Sequence, residues 1–284
     1  MNLELVAKSA SQLFSLPEIC IRLSDLIYDP ESSIQDIAEL IAVDPSLSAR
    51  LLKIANSSFY SFPSQVDTLS RAITLIGTAD LYSLALATST PDMFKALDGN
   101  EHINIEQYWR HSVITGLIGR SLAKQLNERH SENLFLAGLF HNLGKLVILE
   151  QMPDKFIEIE KRLSAEIAPW VIEKEILDYS YADVGQALLD VWNMPNNIID
   201  MVANQHTPEL AIDTKSASLI HIANRQANEL ELRPQIGYDF QKAILPTALQ
   251  STGINFQHID TASEESLENC QSMIAVISGK RIAA

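Results

Sequence analysis

The stretch LFLAGLFHNLGKLVIL, residues 134–149, constrains the fold of this chain more than any other segment. It is apolar almost all the way round a helix, which is the pattern of a helix covered by other helices on every side. His141 and Asn142 lie near its centre, and a buried polar group without a partner costs about 1–3 kcal/mol. The sequence therefore predicts a buried helix over 133–151 with a polar site at its middle.

Helical periodicity continues through most of the chain, and no alternation of the kind that marks a strand occurs over any length. Residues 88–104 interrupt the pattern with Pro91 and the turn-forming run Asp98-Gly99-Asn100. We therefore expect an all-α fold of two packed helical bundles with a C-terminal helical extension. The predicted segments are an N-terminal subdomain over 1–95, a linker over 96–104, a second bundle over 105–230 and the extension over 231–284.

Composition excludes several classes of protein. Of the 284 residues, 46% are hydrophobic and 20% are charged, as in an ordinary folded domain. The net charge of −15 is spread evenly, and no basic stretch is long enough to follow a phosphate backbone, which disfavours nucleic acids and anionic membranes as partners. No signal peptide and no run of 18 apolar residues is present, so we expect a cytoplasmic protein without a membrane span.

Polar residues of the second half fall into four short segments. These are Trp109-Arg110-His111, His141 to Lys145, Gln205-His206 and His221 to Arg225. Histidine is a common metal ligand, and carboxylates are the groups that bridge two hard cations. We therefore take these four segments as candidates to converge on one site.

The order of these residues resembles the HD superfamily of metal-dependent phosphohydrolases, whose ligands follow the pattern H…HD…D. The matching positions are His111, the pair His141-Asn142, and Asn224, so both aspartates are replaced by asparagine. Tyr181 and Gln205 stand where relatives often have further histidines. Because a neutral amide cannot bridge two cations, the resemblance implies a degenerate site without metal, cofactor or hydrolytic activity.

Motifs of the first half narrow the resemblance to one family. Leu16-Pro17-Glu18, Asp44-Pro45-Ser46-Leu47, the run LLKIANSSFY over 51–60 and the run AITLIG over 72–77 are similar, in order and spacing, to the HDOD family. The resemblance covers about residues 14–230. It implies an HD-like second bundle and a regulatory role in bacterial signal transduction. It also implies protein partners, such as cyclic-dinucleotide signalling or two-component proteins.

Two groups of residues are the candidate sites. The aromatic residues Phe59, Tyr60 and Phe62 follow the Asn56-Ser57-Ser58 motif and form a candidate partner surface, unless the loop folds back and buries them. The alternative for the central histidines is that they are hydrogen-bonded core residues. The candidate degenerate pocket consists of His111, His141, Asn142, Lys145, Tyr181, Gln205, His206 and Asn224.

Three functions remain open at the level of sequence. The first is a non-enzymatic regulatory module that acts through protein–protein interaction. The second is a metal-dependent phosphohydrolase with a non-standard ligand set. The third is a sensor module that uses the same pocket for a nucleotide or another anion.

Overall fold

A computed structural model describes residues 3–57, 60, 62–128 and 131–277, and no β-strand occurs in that part of the chain. The predicted all-α fold is confirmed. The α-helices are α1 (Leu3–Leu13), α2 (Glu18–Tyr28), α3 (Ile34–Ala42), α4 (Pro45–Ala55), α5 (Leu69–Ile76), α6 (Thr78–Met93), α7 (Ile105–Gln125), α8 (Ser131–Phe140), α9 (Leu143–Gln151), α10 (Pro153–Arg162), α11 (Pro169–Leu177), α12 (Tyr181–Val191), α13 (Asn196–Ala203), α14 (Thr214–Glu231), α15 (Arg233–Ile236), α16 (Pro246–Thr252) and α17 (Phe256–Ile277).

The described residues group into two compact units. Those up to Phe14 and from Leu97 to Cys270 form the larger unit, and those from Ser15 to Ala96, with the residues after Cys270, form the smaller one. Helix α1 belongs to the larger unit, where its neighbours are α9 and α12. The predicted domain boundaries therefore stay a prediction, and these units differ from them in where α1 is placed.

In the smaller unit, side-chain caps fix where the helices begin. The Ser33 hydroxyl accepts a hydrogen bond from the Asp36 amide and Asp36 accepts one from the Ser33 amide, a reciprocal capping box at the start of α3. Asp44 accepts from the amides of Ser46 and Leu47 at the start of α4, with Pro45 in its first turn. Helices α2 to α6 pack around buried aliphatic side chains such as Leu23 and Leu51.

Helices α7 and α8 form the core of the larger unit and pass unusually close to each other. A Cβ atom added at Gly138 would lie 2.4 Å from the Gly116 Cα, and one added at Gly116 would lie 2.5 Å from the Phe135 carbonyl oxygen. Only glycine permits this backbone approach, because any side chain would meet backbone atoms that cannot move aside. The contact places the end of α8, and hence His141, against α7.

The single helix predicted over 133–151 is wrong, because the structure has two helices there. Helix α8 ends at Phe140 and α9 begins at Leu143, so His141 and Asn142 form the break between them. Gly144 in the first turn of α9 lies against α12, where an added Cβ would meet the Tyr181 carbonyl oxygen at 2.0 Å. The segment is buried, as its apolar pattern predicts, but tertiary packing turns the chain at its polar centre.

Two further segments differ from a simple reading of the sequence. Helix α6 continues through Pro91 to Met93, so the break in periodicity at residue 88 does not end the helix. Helix α16 of the predicted C-terminal extension packs on α14, where the Leu245 amide donates to His221 Nε2 at 3.1 Å.

No single helix in the described part is both long and apolar enough to cross a membrane. One pair of helical segments, Leu69–Ile76 with Asp80–Leu97, is long and apolar enough when taken together, but the two segments meet at a bend of 113°.

The α7–α8 approach gives a direct prediction. Gly116→Ala should lower the free energy of unfolding by about 2 kcal/mol or more, because overpacking against the α8 backbone outweighs the gain in helix propensity. Gly119→Ala is the matched control in the same helix, since its Cβ would lie 3.3 Å from the movable Ile220 Cδ1. We expect it to change stability by less than about 1 kcal/mol. Urea denaturation of both variants checks this, and equal losses would contradict the close approach.

Candidate functional site

A polar cavity of about 70 Å³ lies inside the larger unit, and we call it the inner cavity. It adjoins an outer cavity of about 250 Å³, because His111, Asn142 and Lys145 line both. The structure brings together every residue of the predicted pocket, each of which lines the inner cavity: His111, His141, Asn142, Lys145, Tyr181, Gln205, His206 and Asn224. Their role as a functional site stays a proposal.

The two histidines of the H…HD pattern pack edge to face at the wall of the inner cavity. The ring centroids of His111 and His141 are 5.2 Å apart. His141 Nδ1 donates to the Gly138 carbonyl oxygen at 2.6 Å, and burial lowers the pKa of His141 to about 3. His111 Nδ1 lies 3.2 Å from Glu231 Oε2, and the other oxygen of Glu231 binds Arg110 at 3.1 Å. Both histidines therefore already have partners within the larger unit.

Gln205 ties the break between α8 and α9 to the helices that follow. Its side-chain nitrogen donates to the His141 carbonyl oxygen at 2.7 Å and to the Val202 carbonyl oxygen at 3.0 Å. Its backbone oxygen accepts from His221 Nδ1 at 2.9 Å. Because both nitrogen contacts are to carbonyl oxygens, the orientation of the Gln205 amide is fixed, and its side-chain oxygen must accept.

That orientation determines which residue suits position 224. Asn224 Nδ2 donates to Gln205 Oε1, and the Asn224 side-chain oxygen accepts from Asn228. An ionised aspartate has no donor, so it would place a negative oxygen against the Gln205 oxygen in a site that is only 3% exposed. Asparagine at 224 is thus the residue that the surrounding amides require.

Arg225, which follows Asn224 on α14, places a full cation in this cavity. Its guanidinium lies 3.7 Å from the ring centroid of Trp170, and Trp170 in turn stacks on His206 at 4.9 Å. Arg225 Nη2 lies 3.1 Å from His206 Nδ1. Burial and the Arg225 charge lower the pKa of His206, so this ring is neutral and accepts the hydrogen bond. Arg225 ends one of the four segments expected to converge but is not among the eight predicted pocket residues, although an arginine among the small and apolar residues of α14 is a usable signal.

Glu173 on α11 is a second cavity residue that the sequence did not reveal. It is 7% exposed, and its Oε2 accepts from the Tyr181 amide at 2.8 Å. Burial raises the pKa of Glu173 to about 7, against the lowering effect of that hydrogen bond and of Lys145. No pattern in the segment PWVIEKEIL separates Glu173 from the solvated glutamates beside it, because the neighbours that bury it come from other helices.

Lys145 and Glu160 border both cavities. The Lys145 ammonium lies 2.9 Å from Glu160 Oε1 and 5.4 Å from the ring centroid of Phe156. The prediction that Lys145 faces the same cavity as His141 agrees with the structure, although the two residues lie on either side of the helix break. Lys145 is thus neutralised by Glu160 rather than available as a free cation.

The residues present do not fit the metal pair that the HD superfamily implies. Within the described ranges, no group of three or more His, Cys, Asp and Glu side chains converges so as to hold a metal ion. Asn142 and Asn224 supply no negative charge, and the Asn224 oxygen already accepts from Asn228. Arg225 adds a positive charge to the same cavity, which opposes a second cation by direct repulsion.

The candidate partner surface lies in the smaller unit. Tyr60 and Phe62 stack with their ring centroids 5.3 Å apart, and both residues are half-buried. Asn56 holds the base of their loop, since its side chain accepts from the Val66 amide and donates to the Val66 oxygen. Phe59, the third predicted residue, lies outside the described residues.

Comparison with known proteins identifies the family. The family model of the HDOD domain matches residues 13–208, and the chain belongs to the HDOD family. The expectation from the sequence motifs is confirmed. A protein of Treponema pallidum (strain Nichols), named only as uncharacterized, is 26% identical over 208 residues, which cover 72% of this chain. The chain spans 40% of the length of that relative.

Solved structures show the same fold. An HDOD domain protein of unknown function from Geobacter sulfurreducens superposes with a TM-score of 0.67 at 19% identity, over 96% of this chain and 97% of the other. A candidate phosphohydrolase from Shewanella amazonensis SB2B gives a TM-score of 0.69 at 23% identity, over 96% and 97%. A candidate signal transduction protein from Marinobacter aquaeolei VT8 gives 0.69 at 20% identity, over 95% and 61%.

The raised pKa of Glu173 predicts a particular dependence of stability on pH. The folded protein retains a proton that the unfolded chain releases between about pH 4.5 and 7, so this residue stabilises the fold less as the pH rises. Glu173→Gln keeps an oxygen for the Tyr181 amide and cannot ionise. We therefore expect the stability of the variant, relative to the parent, to increase by up to about 3 kcal/mol between pH 5 and pH 8.

The measurement is chemical denaturation of parent and variant at several pH values. The charged groups that act on Glu173 are Lys145, Glu160, Asp183 and Arg225, and all four are left unchanged. Glu166→Gln, at an exposed position, is the matched control and should show a constant difference from the parent. A constant difference for Glu173→Gln would contradict the assignment of a buried, desolvated carboxyl group.

Proposed function

We propose that this chain is a non-enzymatic regulatory module that acts by binding other proteins. The observation that carries the proposal is the fixed amide at position 224, where the HD superfamily implies a carboxylate. The hydrogen bonds of Gln205 favour an amide at position 224, which supports a hydrogen-bonded amide network there in place of a metal ligand.

The geometry gives no comparable support to the phosphohydrolase alternative. Metal-assisted hydrolysis needs a cation that activates water and neutralises the developing charge. At the positions of the H…HD…D pattern the inner cavity offers two histidines, one of which donates Nδ1 to a backbone oxygen, and two neutral amides. Hydrolysis would therefore require a ligand set that these side chains do not supply.

Restoring the two aspartates tests this proposal. Asn142→Asp with Asn224→Asp should lower the stability of the metal-free protein by about 3 kcal/mol or more near neutral pH, because buried carboxylates lose hydration and the new carboxylate at position 224 opposes the Gln205 oxygen. Added Mn²⁺ should recover part of that loss, since a ligand that binds only the folded state stabilises it. Melting temperatures with Mn²⁺ and with a chelator measure both effects.

The parent protein and a single variant are the controls. The parent should show neither a Mn²⁺-dependent rise in melting temperature nor Mn²⁺-dependent hydrolysis of bis(p-nitrophenyl) phosphate. Asn142→Asp alone, at a half-buried position, should cost less stability than Asn224→Asp alone. Metal-dependent hydrolysis by the parent, or an Asn224→Asp variant as stable as the parent, would refute the proposal.

Tyr60 and Phe62 are the proposed surface for a protein partner. A stacked pair of aromatic rings supplies a large apolar contact at low cost in side-chain entropy, which is typical of residues that dominate binding energy. The partner classes suggested by the family resemblance are cyclic-dinucleotide signalling proteins and two-component proteins.

Substitution of this pair tests the surface. The variant Tyr60→Ala with Phe62→Ala should lose the proteins that cross-link to the parent chain in cells of the native bacterium. Tyr28→Ala is the matched control, because Tyr28 is a 66% exposed aromatic residue of the same unit. Identical sets of cross-linked proteins for the parent and the double variant would exclude this surface, while circular dichroism confirms that both variants are folded.

A further inference from the structure

Arg225 has hydrogen-bond donors that nothing in the described part of the chain accepts. The residue is 1% exposed, and of its three guanidinium nitrogens only Nη2 has a partner, His206 Nδ1. Nε and Nη1 are buried without a hydrogen-bond partner, and together they carry three N–H groups. Leaving such donors unpaired costs free energy of folding, so their presence in the fold indicates a functional role.

The guanidinium is held in one orientation before any ligand arrives. Its flat face lies against Trp170 at 3.7 Å, and the contact with His206 fixes the rotation of the plane on that face. Nη2 has a second N–H, which together with Nε or with Nη1 forms the fork that matches two oxygens of a carboxylate or a phosphate. A structural arginine would instead direct this fork at a side-chain carboxylate.

The acidic residues of the inner cavity do not neutralise Arg225. Glu160 and Glu173 are the two carboxylic acids that line it. Glu160 is paired with Lys145 at 2.9 Å, and Glu173 makes no ion pair within 4.0 Å in the described part of the chain. Its raised pKa leaves Glu173 protonated in a large fraction of molecules at neutral pH. Glu173 therefore compensates the charge only in part, and Arg225 has no ion-pair partner in the described part of a chain whose net charge is −15.

Tyr181 adds a second unused donor, and the space suits a small group. The Tyr181 hydroxyl is buried without a hydrogen-bond partner in the described part of the chain, and Tyr181 lines the same cavity. One water needs about 10–15 Å³ in this measure, so 70 Å³ holds about five water-sized atoms, the number in a phosphate group. The adjoining 250 Å³ outer cavity carries the neutral amides Asn104, Gln107 and Gln235, which can hydrogen-bond an uncharged polar body.

We propose that the inner cavity binds the oxoanion group of a small molecule, with the Arg225 guanidinium as its main partner and the Tyr181 hydroxyl as a second donor, while the rest of the molecule occupies the outer cavity. The ligand is bound and not hydrolysed, so the site is a sensor input. This inference goes beyond the proposed regulatory function and does not depend on which protein partner the chain binds.

Thermal shift measurements on the full chain at pH 6.5 test the site. The probes are inorganic phosphate, acetate and adenosine monophosphate, compared with adenosine and with sodium chloride at equal ionic strength. Probes with an oxoanion that the cavity accepts should raise the melting temperature by roughly 2–5 °C at about ten times their dissociation constant. The phosphate and acetate arms distinguish the two oxoanion classes, and adenosine alone should have no effect.

Arg225→Met is the decisive variant, and Arg120→Met is its matched control. The methionine retains the apolar contact with Trp170 and removes the charge, so the anion-dependent shift should disappear. The unliganded variant should melt at a temperature close to or above that of the parent, because a buried charge without a full counter-ion is lost. Arg120 is also buried, but it binds Glu132 and lines neither cavity, so Arg120→Met should retain the shift.

Tyr181→Phe is a second variant that tests the same site, and it can be used if Arg225→Met does not fold. It removes only an unpaired hydroxyl, so the variant should be as stable as the parent and should bind the same anion with a dissociation constant raised by roughly fivefold or more, measured by calorimetry. The proposal is overturned if no probe shifts the parent beyond the chloride control, or if Arg225→Met and Tyr181→Phe respond as the parent does. Hydrolysis of adenosine monophosphate by the parent would refute the regulatory function but not the binding site.

Discussion

The side-chain amide of Gln205 determines much of what the central cavity can be. Its nitrogen is held by two backbone oxygens, one of them from His141 at the break between α8 and α9. Its oxygen must therefore accept, and Asn224 on α14 donates to it. Because the backbone oxygen of Gln205 also binds His221, one residue connects the helix break, the end of α13 and the middle of α14. An amide at position 224 therefore costs little free energy of folding, whereas a carboxylate at the same position costs much more.

The electrostatics of the cavity follow from that neutral network. Without carboxylates at 142 and 224 these two positions supply no negative charge for divalent cations. Arg225 instead adds a positive charge to the same cavity. Desolvation then acts on the remaining ionisable groups in a consistent way. It lowers the pKa of His141 and His206, and it raises the pKa of Glu173 to about 7. The result is a cavity in which one buried cation, Arg225, lies among hydrogen-bonded amides and uncharged histidine rings.

Close backbone packing holds this cavity in shape. The glycines at 116 and 138 let α7 and α8 approach until no side chain fits between them, and Gly144 does the same for α9 and α12. These contacts place His111 from α7, His141 from the end of α8 and Tyr181 from α12 around one point. A polar network of this kind is stable only where its members cannot separate and admit water, so the tight helix contacts and the hydrogen bonds support each other.

The sequence by itself determined the all-α class, the HDOD family and eight of the residues that line the inner cavity. Periodicity, caps such as Ser33 and Asp44, and ordered motifs are local features, so they can be recognised in the sequence without knowledge of the tertiary structure. Tertiary structure alone decided that the chain breaks at His141-Asn142 and that the Gln205 amide has one orientation. It also decided that Glu173 enters the cavity and that the Arg225 guanidinium lies against Trp170. Each of these depends on the groups that surround a residue from other helices, because desolvation and hydrogen-bond direction are properties of a packed environment and not of the residue that experiences them.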